Sequence, residues 1–228
     1  MKTIGMLGGM SWESSTVYYR LLNEEAKNRL GGLHSAKLIL HSVDFGEIEP
    51  LLRAGDWDEI ARRLATAAAS LESSGADCLV IATNTMHKVA DVIKTAISIP
   101  LINIVDVVAE AALSKGMRRL GLLGTRFTME EPFYSEGLEV HGLKVVTPSE
   151  KDRLLANKII FEELCMGRFE YPARHEFLRI MDDLAERGAQ GVILGCTELP
   201  MLIKQSDTRL PLLDTAELHV TAAADFAM

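Results

Sequence analysis

The chain carries the same stretch twice. Gly75-Ala76-Asp77-Cys78-Leu79-Val80-Ile81-Ala82-Thr83 and Gly188-Ala189-Gln190-Gly191-Val192-Ile193-Leu194-Gly195-Cys196 follow one plan: Gly-Ala, a short apolar run, then a small side chain with a hydroxyl or a thiol. Thr83 and Cys196 hold equivalent places 113 positions apart (196 − 83), about half of the 228 residues. Ile4-Gly5-Met6-Leu7-Gly8-Gly9 matches Leu120-Gly121-Leu122-Leu123-Gly124-Thr125 at an offset of 116 (120 − 4). Ile99-Pro100-Leu101-Ile102 matches Leu210-Pro211-Leu212-Leu213 at an offset of 111 (210 − 99). Three matches at nearly one offset indicate a duplicated unit of roughly 110 residues.

The run Val192 to Leu194 has the pattern of a strand buried on both faces. Gly195 ends it, and Cys196 stands where the strand hands the chain on. Such strands alternate with helical segments along the whole chain, which means parallel βαβ units. The expected fold is α/β, with two pseudo-symmetric duplicated domains, each an open parallel sheet flanked by helices. Residues 1–105 are expected to form the first half, joined by the closing helix 217–228, and 106–216 the second. Open α/β sheets bind ligands beyond the carboxyl ends of their strands. One active site is therefore expected in the cleft between the halves, with Thr83 and Cys196 as its poles.

In chain order, Thr3 to Leu7 reads as a strand, then a tight loop Gly8 to Ser14, then a helix from about Ser14 to Leu30. Glycines after a strand let the backbone approach a ligand, and the helix N-terminus offers N–H donors to an anion. The spacing is neither a Walker motif nor a full dinucleotide fingerprint, and a plain tight turn would look the same. Ala36 to Val43 reads as the second strand, and Asp44 to Arg53 as polar and irregular, with Pro50 as a breaker. Trp57 to Ser73 is a helix, Cys78 to Ala82 a strand, and the helix after it is expected to be capped by Asn84 or Thr85. Ile99 to Ile104 is the expected fourth strand and Asp106 to Lys115 a helix. The second half repeats the order. Strand Arg119 to Leu123 leads into a loop Gly124 to Thr128, and Lys144 to Val146 is a short strand. Helices run from Asp152 to Cys165 and from His175 to Arg187. Strands cover Val192 to Leu194 and Leu210 to Leu213, and Glu217 to Ala227 closes the chain as a helix.

The net charge of −8 argues against a nucleic-acid partner, since phosphate backbones need a basic face. It leaves a small anionic ligand possible, because a few N–H groups can hold one. No apolar run approaches a membrane span. Three cysteines without a C-x-x-C pair, and no visible targeting segment, read as a reduced, cytoplasmic protein. A homodimer is the default for such a fold.

Cys196 is the sharpest chemical candidate. A thiol at a helix N-terminus, flanked by hydroxyls, has reason for a lowered pKa, and a thiolate serves as nucleophile or base. Cys78, mid-strand, and Cys165, late in a helix, read as small buried hydrophobes. Thr83, Asn84, Thr85, Thr125 and Thr197 are short donors and acceptors at strand ends, suited to a ligand carrying carboxylate and ammonium groups; as capping residues they would look alike. His87 falls one helical turn after Thr83 and could act as an acid or orient a neighbour, though a cap or surface histidine is commoner. Glu198 could hold a ligand ammonium or favour a helix N-terminus. His41, His141 and His219 are scattered, and no Cys/His cluster points to a metal. No lysine context suggests a Schiff-base cofactor.

Leu7-Gly8-Gly9-Met10-Ser11, Thr83-Asn84-Thr85-Met86-His87 and Gly195-Cys196-Thr197-Glu198, in this order in a duplicated chain, resemble the aspartate/glutamate racemase family. The resemblance implies an amino-acid racemase that needs neither pyridoxal phosphate nor a metal, so no cofactor is expected. In the family's usual form two cysteines act on opposite faces of the substrate α-carbon. Thr83 replaces the first here, so the chain looks like the Thr/Cys subtype, represented by an L-aspartate/glutamate-specific racemase. Many members carry a P-D-R segment whose arginine binds the side-chain carboxylate. The corresponding region here is Phe45 to Arg53, and Arg53 is the candidate substitute. The expected function is racemisation of L-aspartate, L-glutamate or a related amino acid, with Thr83 and Cys196 catalytic. Met10, Ser11, Arg53, Asn84, Thr85, Thr125, Thr197 and Glu198 are expected to bind substrate. The alternatives are a non-catalytic carboxylate binder, or a decarboxylase or cis–trans isomerase of the same superfamily.

Overall fold

The computed structural model describes all 228 residues. They divide into two compact units, one of Met1–Ile104 with His219–Met228 and the other of Val105–Leu218. No helix is long and apolar enough to cross a membrane.

In the first unit, β1 (Ile4–Gly8) is followed by α1 (Trp12–Leu30), β2 (Leu38–Ser42), α2 (Phe45–Ala54), α3 (Trp57–Ser73) and β3 (Cys78–Ile81). A 3-10 turn, Thr85–Val89, then leads into α4 (Ala90–Thr95). The strands are parallel, in the order β2-β1-β3. Every residue of β1 and β3 is buried, as strands covered on both faces must be. α1 turns Ser15, Tyr18, Leu22 and Ala26 inward, three to four residues apart, which is one stripe of a helix. α3 buries Ile60, Leu64, Ala67, Ala68 and Leu71. The approach beneath it is close: a Cβ on Gly5 would stand 2.8 Å from that of Ala76.

Two expectations are corrected in this unit. Asp44 to Arg53 is not irregular: Phe45 to Ala54 form helix α2. An Asp44 side-chain oxygen accepts the Gly46 N–H at 2.9 Å, Ile48 and Leu52 are buried one turn apart, and Gly55 closes the end in the left-handed region. A cap, an apolar stripe and a C-terminal glycine together outweigh Pro50, which removes one helical hydrogen bond. The expected strand from Ile99 to Ile104 shrinks to one bridge between Leu101 and Leu79. The Leu79 N–H donates to the Pro100 carbonyl and the Ile102 N–H to the Leu79 carbonyl, both at 2.9 Å. Pro100 has no N–H to carry the ladder further back, and the next helix already starts at Ile104.

The second unit runs α5 (Ile104–Ser114), β4 (Arg119–Gly124), α6 (Arg126–Glu130), α7 (Pro132–Val140), β5 (Lys144–Val146), α8 (Glu150–Glu162), α9 (Tyr171–Glu186), β6 (Gly191–Gly195), α10 (Leu199–Leu202) and β7 (Leu212–Asp214). α11 (Thr215–Ala227) closes the chain. The strand order is β5-β4-β6-β7, all parallel. The order β2-β1-β3 with the Leu101 bridge beyond β3 is the same arrangement with its last strand reduced. The duplication reaches single hydrogen bonds. Ala76 N–H to Leu71 recurs as Ala189 N–H to Leu184, and Asp77 N–H to Thr3 recurs as Gln190 N–H to Arg119. Leu79 N–H to Pro100 recurs as Val192 N–H to Pro211. The expected loop after β4 is instead α6, with Thr125 as its cap, and α7 follows from Pro132, a residue suited to a helix's first position.

Candidate active site

β1 and β3 lie side by side, with Leu7 opposite Ile81, so the segments after them start at neighbouring strand ends. After β1, Gly9 takes φ +92°, and a Cβ there would stand 2.1 Å from the Val43 carbonyl oxygen. Only glycine passes that point. The Gly9 N–H donates to Ser15 Oγ at 2.8 Å, and the Ser14 N–H donates to Ser11 Oγ at 3.2 Å. Met10 is buried and Ser11 half-buried, with the Ser11 hydroxyl engaged as the cap of α1. After β3, the Thr83 N–H bonds to the Ile81 carbonyl at 2.8 Å, a three-residue turn. Thr83 and Thr85 are half-buried and Asn84 is buried. Asn84 opens the 3-10 turn without a capping bond from its side chain, contrary to expectation. A 3-10 turn sends its N–H groups three residues back, and its first residues need less from a cap.

Arg53 lies in the last turn of α2 with its side chain 80% exposed and its guanidinium paired with Glu49. It faces solvent, and its one ion pair is within its own helix.

The second unit brings Thr125, Cys196, Thr197 and Glu198 to neighbouring ends of β4 and β6, where Gly124 is opposite Gly195. Cβ atoms on these glycines would meet the Gly195 and Leu123 carbonyl oxygens at 3.0 and 2.9 Å, with Thr128 close on both. Thr125 caps α6 by accepting from the Thr128 N–H. Cys196, Thr197 and Glu198 are all buried. Cys196 Sγ and Thr197 Oγ1 both donate to Glu198 Oε2, each at 2.9 Å. The carboxylate thus serves the thiol and the hydroxyl rather than the backbone of α10, to which it makes no capping bond.

This corrects the expected acidity of Cys196. Its thiol titrates well above the ordinary range. Burial is the largest cause, the Glu198 charge the next, and the hydrogen bond to Glu198 the third; the Glu198 backbone N–H pulls the other way. α10 has only four residues and offers too small a dipole to reverse that order. Cys78 is pushed up to about 11, chiefly by burial, as a mid-strand hydrophobe should be.

Sequence reasoning missed one cluster in the first unit. His87 is buried, not a surface residue, and His219 and Tyr18 are buried with it. The Ile102 carbonyl can only accept, so His219 Nε2 carries the proton donated to it at 2.7 Å. The Tyr18 hydroxyl then donates to His219 Nδ1 at 2.9 Å. The rings of His87 and His219 meet edge to face, 5.5 Å apart. Burial is the main reason both stay neutral, with His87 lowered to about 3 and His219 to about 4. The signal was present: His219 shares its helix face with the apolar Ala216, Val220 and Ala223.

No three His, Cys, Asp or Glu side chains converge in a way that could hold a metal ion. The chemistry on offer is a thiol, a carboxylate and several hydroxyls at parallel strand ends. Known proteins share this frame. A candidate Asp/Glu racemase from Yersinia pestis is 49% identical, covers 99% of both chains and superposes with a TM-score of 0.94. An aspartate racemase homologue from Pyrococcus horikoshii OT3 is 36% identical over 99% of both chains, with a TM-score of 0.88. The broad specificity amino-acid racemase RacX of Bacillus subtilis (strain 168) is 20% identical over 93% of this chain and 92% of its own. The Asp/Glu/hydantoin racemase family model matches residues 7–223, and with that span, fold and strand-end chemistry the chain belongs to this family.

Proposed function

We propose that this protein is an amino-acid racemase that uses no pyridoxal phosphate and no metal and acts on L-aspartate, L-glutamate or a related amino acid. The observation that carries the reading is the Cys196–Glu198 hydrogen bond: a buried thiol 2.9 Å from a buried carboxylate. At rest the thiol keeps its proton. Transfer of that proton to Glu198 leaves a thiolate, the base for the α-proton of the L-enantiomer. The electron pair left on the α-carbon spreads into the substrate carboxylate. N–H groups near Met10, Ser11, Thr85 and Thr197 are the donors that would stabilise it. A proton delivered on the other face gives the D-enantiomer, and Thr83, or a water it holds, takes that side. A threonine hydroxyl is a weak acid and a poor base, so the two directions differ in their individual rate constants. The equilibrium constant stays that of a racemate. We also propose that the protein acts as a homodimer.

The test is incubation with L-aspartate, L-glutamate and L-homoserine in deuterated water, followed by chiral chromatography and proton NMR. Solvent deuterium should enter L-substrate faster than the D-enantiomer forms. Cys196→Ala should abolish both signals at a stability cost of about 1 kcal/mol, because little volume is lost. Thr83→Cys should raise D-substrate turnover. Turnover retained by Cys196→Ala, or D-substrate exchanging as fast as L-substrate in the unaltered protein, would overturn the assignment.

A further inference from the structure

In an α-helix the Thr83 carbonyl would accept the backbone N–H of residue 87, four positions on. Here the chain after β3 winds as a 3-10 turn, and the His87 N–H goes to the Asn84 carbonyl at 3.1 Å instead. That would orphan the Thr83 carbonyl at a largely buried strand end. The His87 ring fills the gap: Nδ1 lies 2.8 Å from the Thr83 oxygen. A carbonyl only accepts, so Nδ1 carries the proton and the ring is the Nδ1–H tautomer. Both backbone polar groups of Thr83 are then tied, its N–H to Ile81 and its C=O to His87. That restrains the backbone dihedrals of Thr83 and with them the direction of its Cα–Cβ bond, the stem that carries the hydroxyl.

The ring is itself held from behind. His87 is buried, and its bare Nε2 has no hydrogen-bond partner. His219, which it meets edge to face, cannot supply one, because both its nitrogens are taken by Ile102 and Tyr18. A buried nitrogen left unpaired is costly. Leucine or methionine would fill the same space without that cost, so packing alone does not account for an imidazole at position 87. The ring's one donor, Nδ1–H, lies 2.8 Å from the Thr83 carbonyl, with the Asn84 carbonyl beside it.

We infer that His87 is a positioning residue for Thr83. It acts through the Nδ1–H bond to the Thr83 carbonyl, and so serves protonation on the Thr83 face and not on the Cys196 face. The inference rests on the racemase reading above, but its signature is separate. Removing the donor should slow interconversion while leaving solvent exchange into L-substrate, a Cys196 event, in place. General loss of structure would lower both together.

The experiment measures two rates in deuterated water with L-aspartate and L-glutamate: deuterium entry into L-substrate, and appearance of the D-enantiomer. It compares unaltered protein with His87→Leu and His87→Asn. Asparagine can reach a carbonyl four residues back, as Asn23 does to Tyr19 at 2.8 Å. His87→Leu should lower the ratio of D-formation to L-exchange by about tenfold or more, the scale of one lost hydrogen bond and a misplaced group. His87→Asn should keep that ratio within about threefold of the unaltered protein. An unchanged ratio in a folded His87→Leu overturns the inference. Should His87→Leu not fold, His87→Phe is read in its place. If neither folds while His87→Asn keeps the native ratio, the bond is structural only and the inference is overturned. Absence of both signals in the unaltered protein overturns the racemase reading, and this inference with it.

Discussion

Lowering the pH from 7 to 5 should weaken the first unit by about 4 kcal/mol through two side chains. His87 and His219 are lowered from 6.5 to about 3 and about 4; burial is the first cause for both, and the neighbouring His219 ring the second for His87. In the unfolded chain both protonate near their ordinary value. Between that value and the native ones the unfolded state holds more protons than the folded state. The stability they contribute is therefore complete above about pH 6.5 and is lost as the pH falls toward 4 and 3. Integrated to pH 5, each site contributes a loss of about 2 kcal/mol. Asp214, raised by its own burial, has the opposite sign, but it lies in the second unit. The assay is urea unfolding at pH 7, 6 and 5 followed by tryptophan fluorescence. Trp12 and Trp57 are the two tryptophans and both are in the first unit, so the signal reports the right half. His87→Asn and His219→Gln should each remove about half of the pH dependence. Equal stability at pH 7 and 5, or an unchanged slope in both variants, would refute the buried, neutral pair.

Two further outcomes test the backbone. Gly9→Ala should destabilise the first unit by about 3 kcal/mol or abolish its folding, because the new methyl meets the Val43 carbonyl in a left-handed conformation; the urea midpoint reads it. Pro50→Ala should raise stability by about 1 kcal/mol by restoring a helical N–H in α2; a lower midpoint would mean that the ring's restriction of the unfolded chain outweighs that bond.

The α/β class and the duplication could be read from the sequence because both follow from pattern. A short apolar run between Gly-Ala and a small polar residue has one good solution, and its repetition set the second half by the first. What failed was decided by competition between local signals. Pro50 is a strong breaker, but Asp44, Ile48, Leu52 and Gly55 together outweigh it. Ile99 to Ile104 has strand composition, but Pro100 and the start of α5 leave it a single bridge. At the candidate site, residue types were legible and environments were not. A thiol followed by Thr-Glu reads as a helix N-terminus. That the glutamate turns back to accept from the thiol depends on a four-residue helix and on burial, neither visible in the chain. His87 and His219 are 132 positions apart (219 − 87), and no local rule brings them together.

The two copies of the strand end have diverged in how they hold their reactive group. Thr83 is gripped through its backbone by the histidine four residues on; Cys196 is gripped through its side chain by the glutamate two residues on. Glu198 has two opposed effects on that thiol. Its charge and hydrogen bond make the proton harder to lose to water, yet its oxygen is where the proton goes when the thiolate forms in the proposed reaction. Glu198→Gln separates them, since the amide keeps the shape and leaves Thr197 Oγ1 a partner but cannot take a proton. The thiol should then ionise at lower pH, although burial, the largest cause, keeps it above the ordinary range. The pH profile of alkylation at Cys196, read by mass spectrometry on its own peptide, measures this. Deuterium entry into L-substrate should nevertheless slow, because the route by which the thiolate forms is gone. An inflection that moves to higher pH would contradict the electrostatic account of the site. A lower inflection with faster exchange would make Glu198 a brake on the thiol and remove it as the proton acceptor.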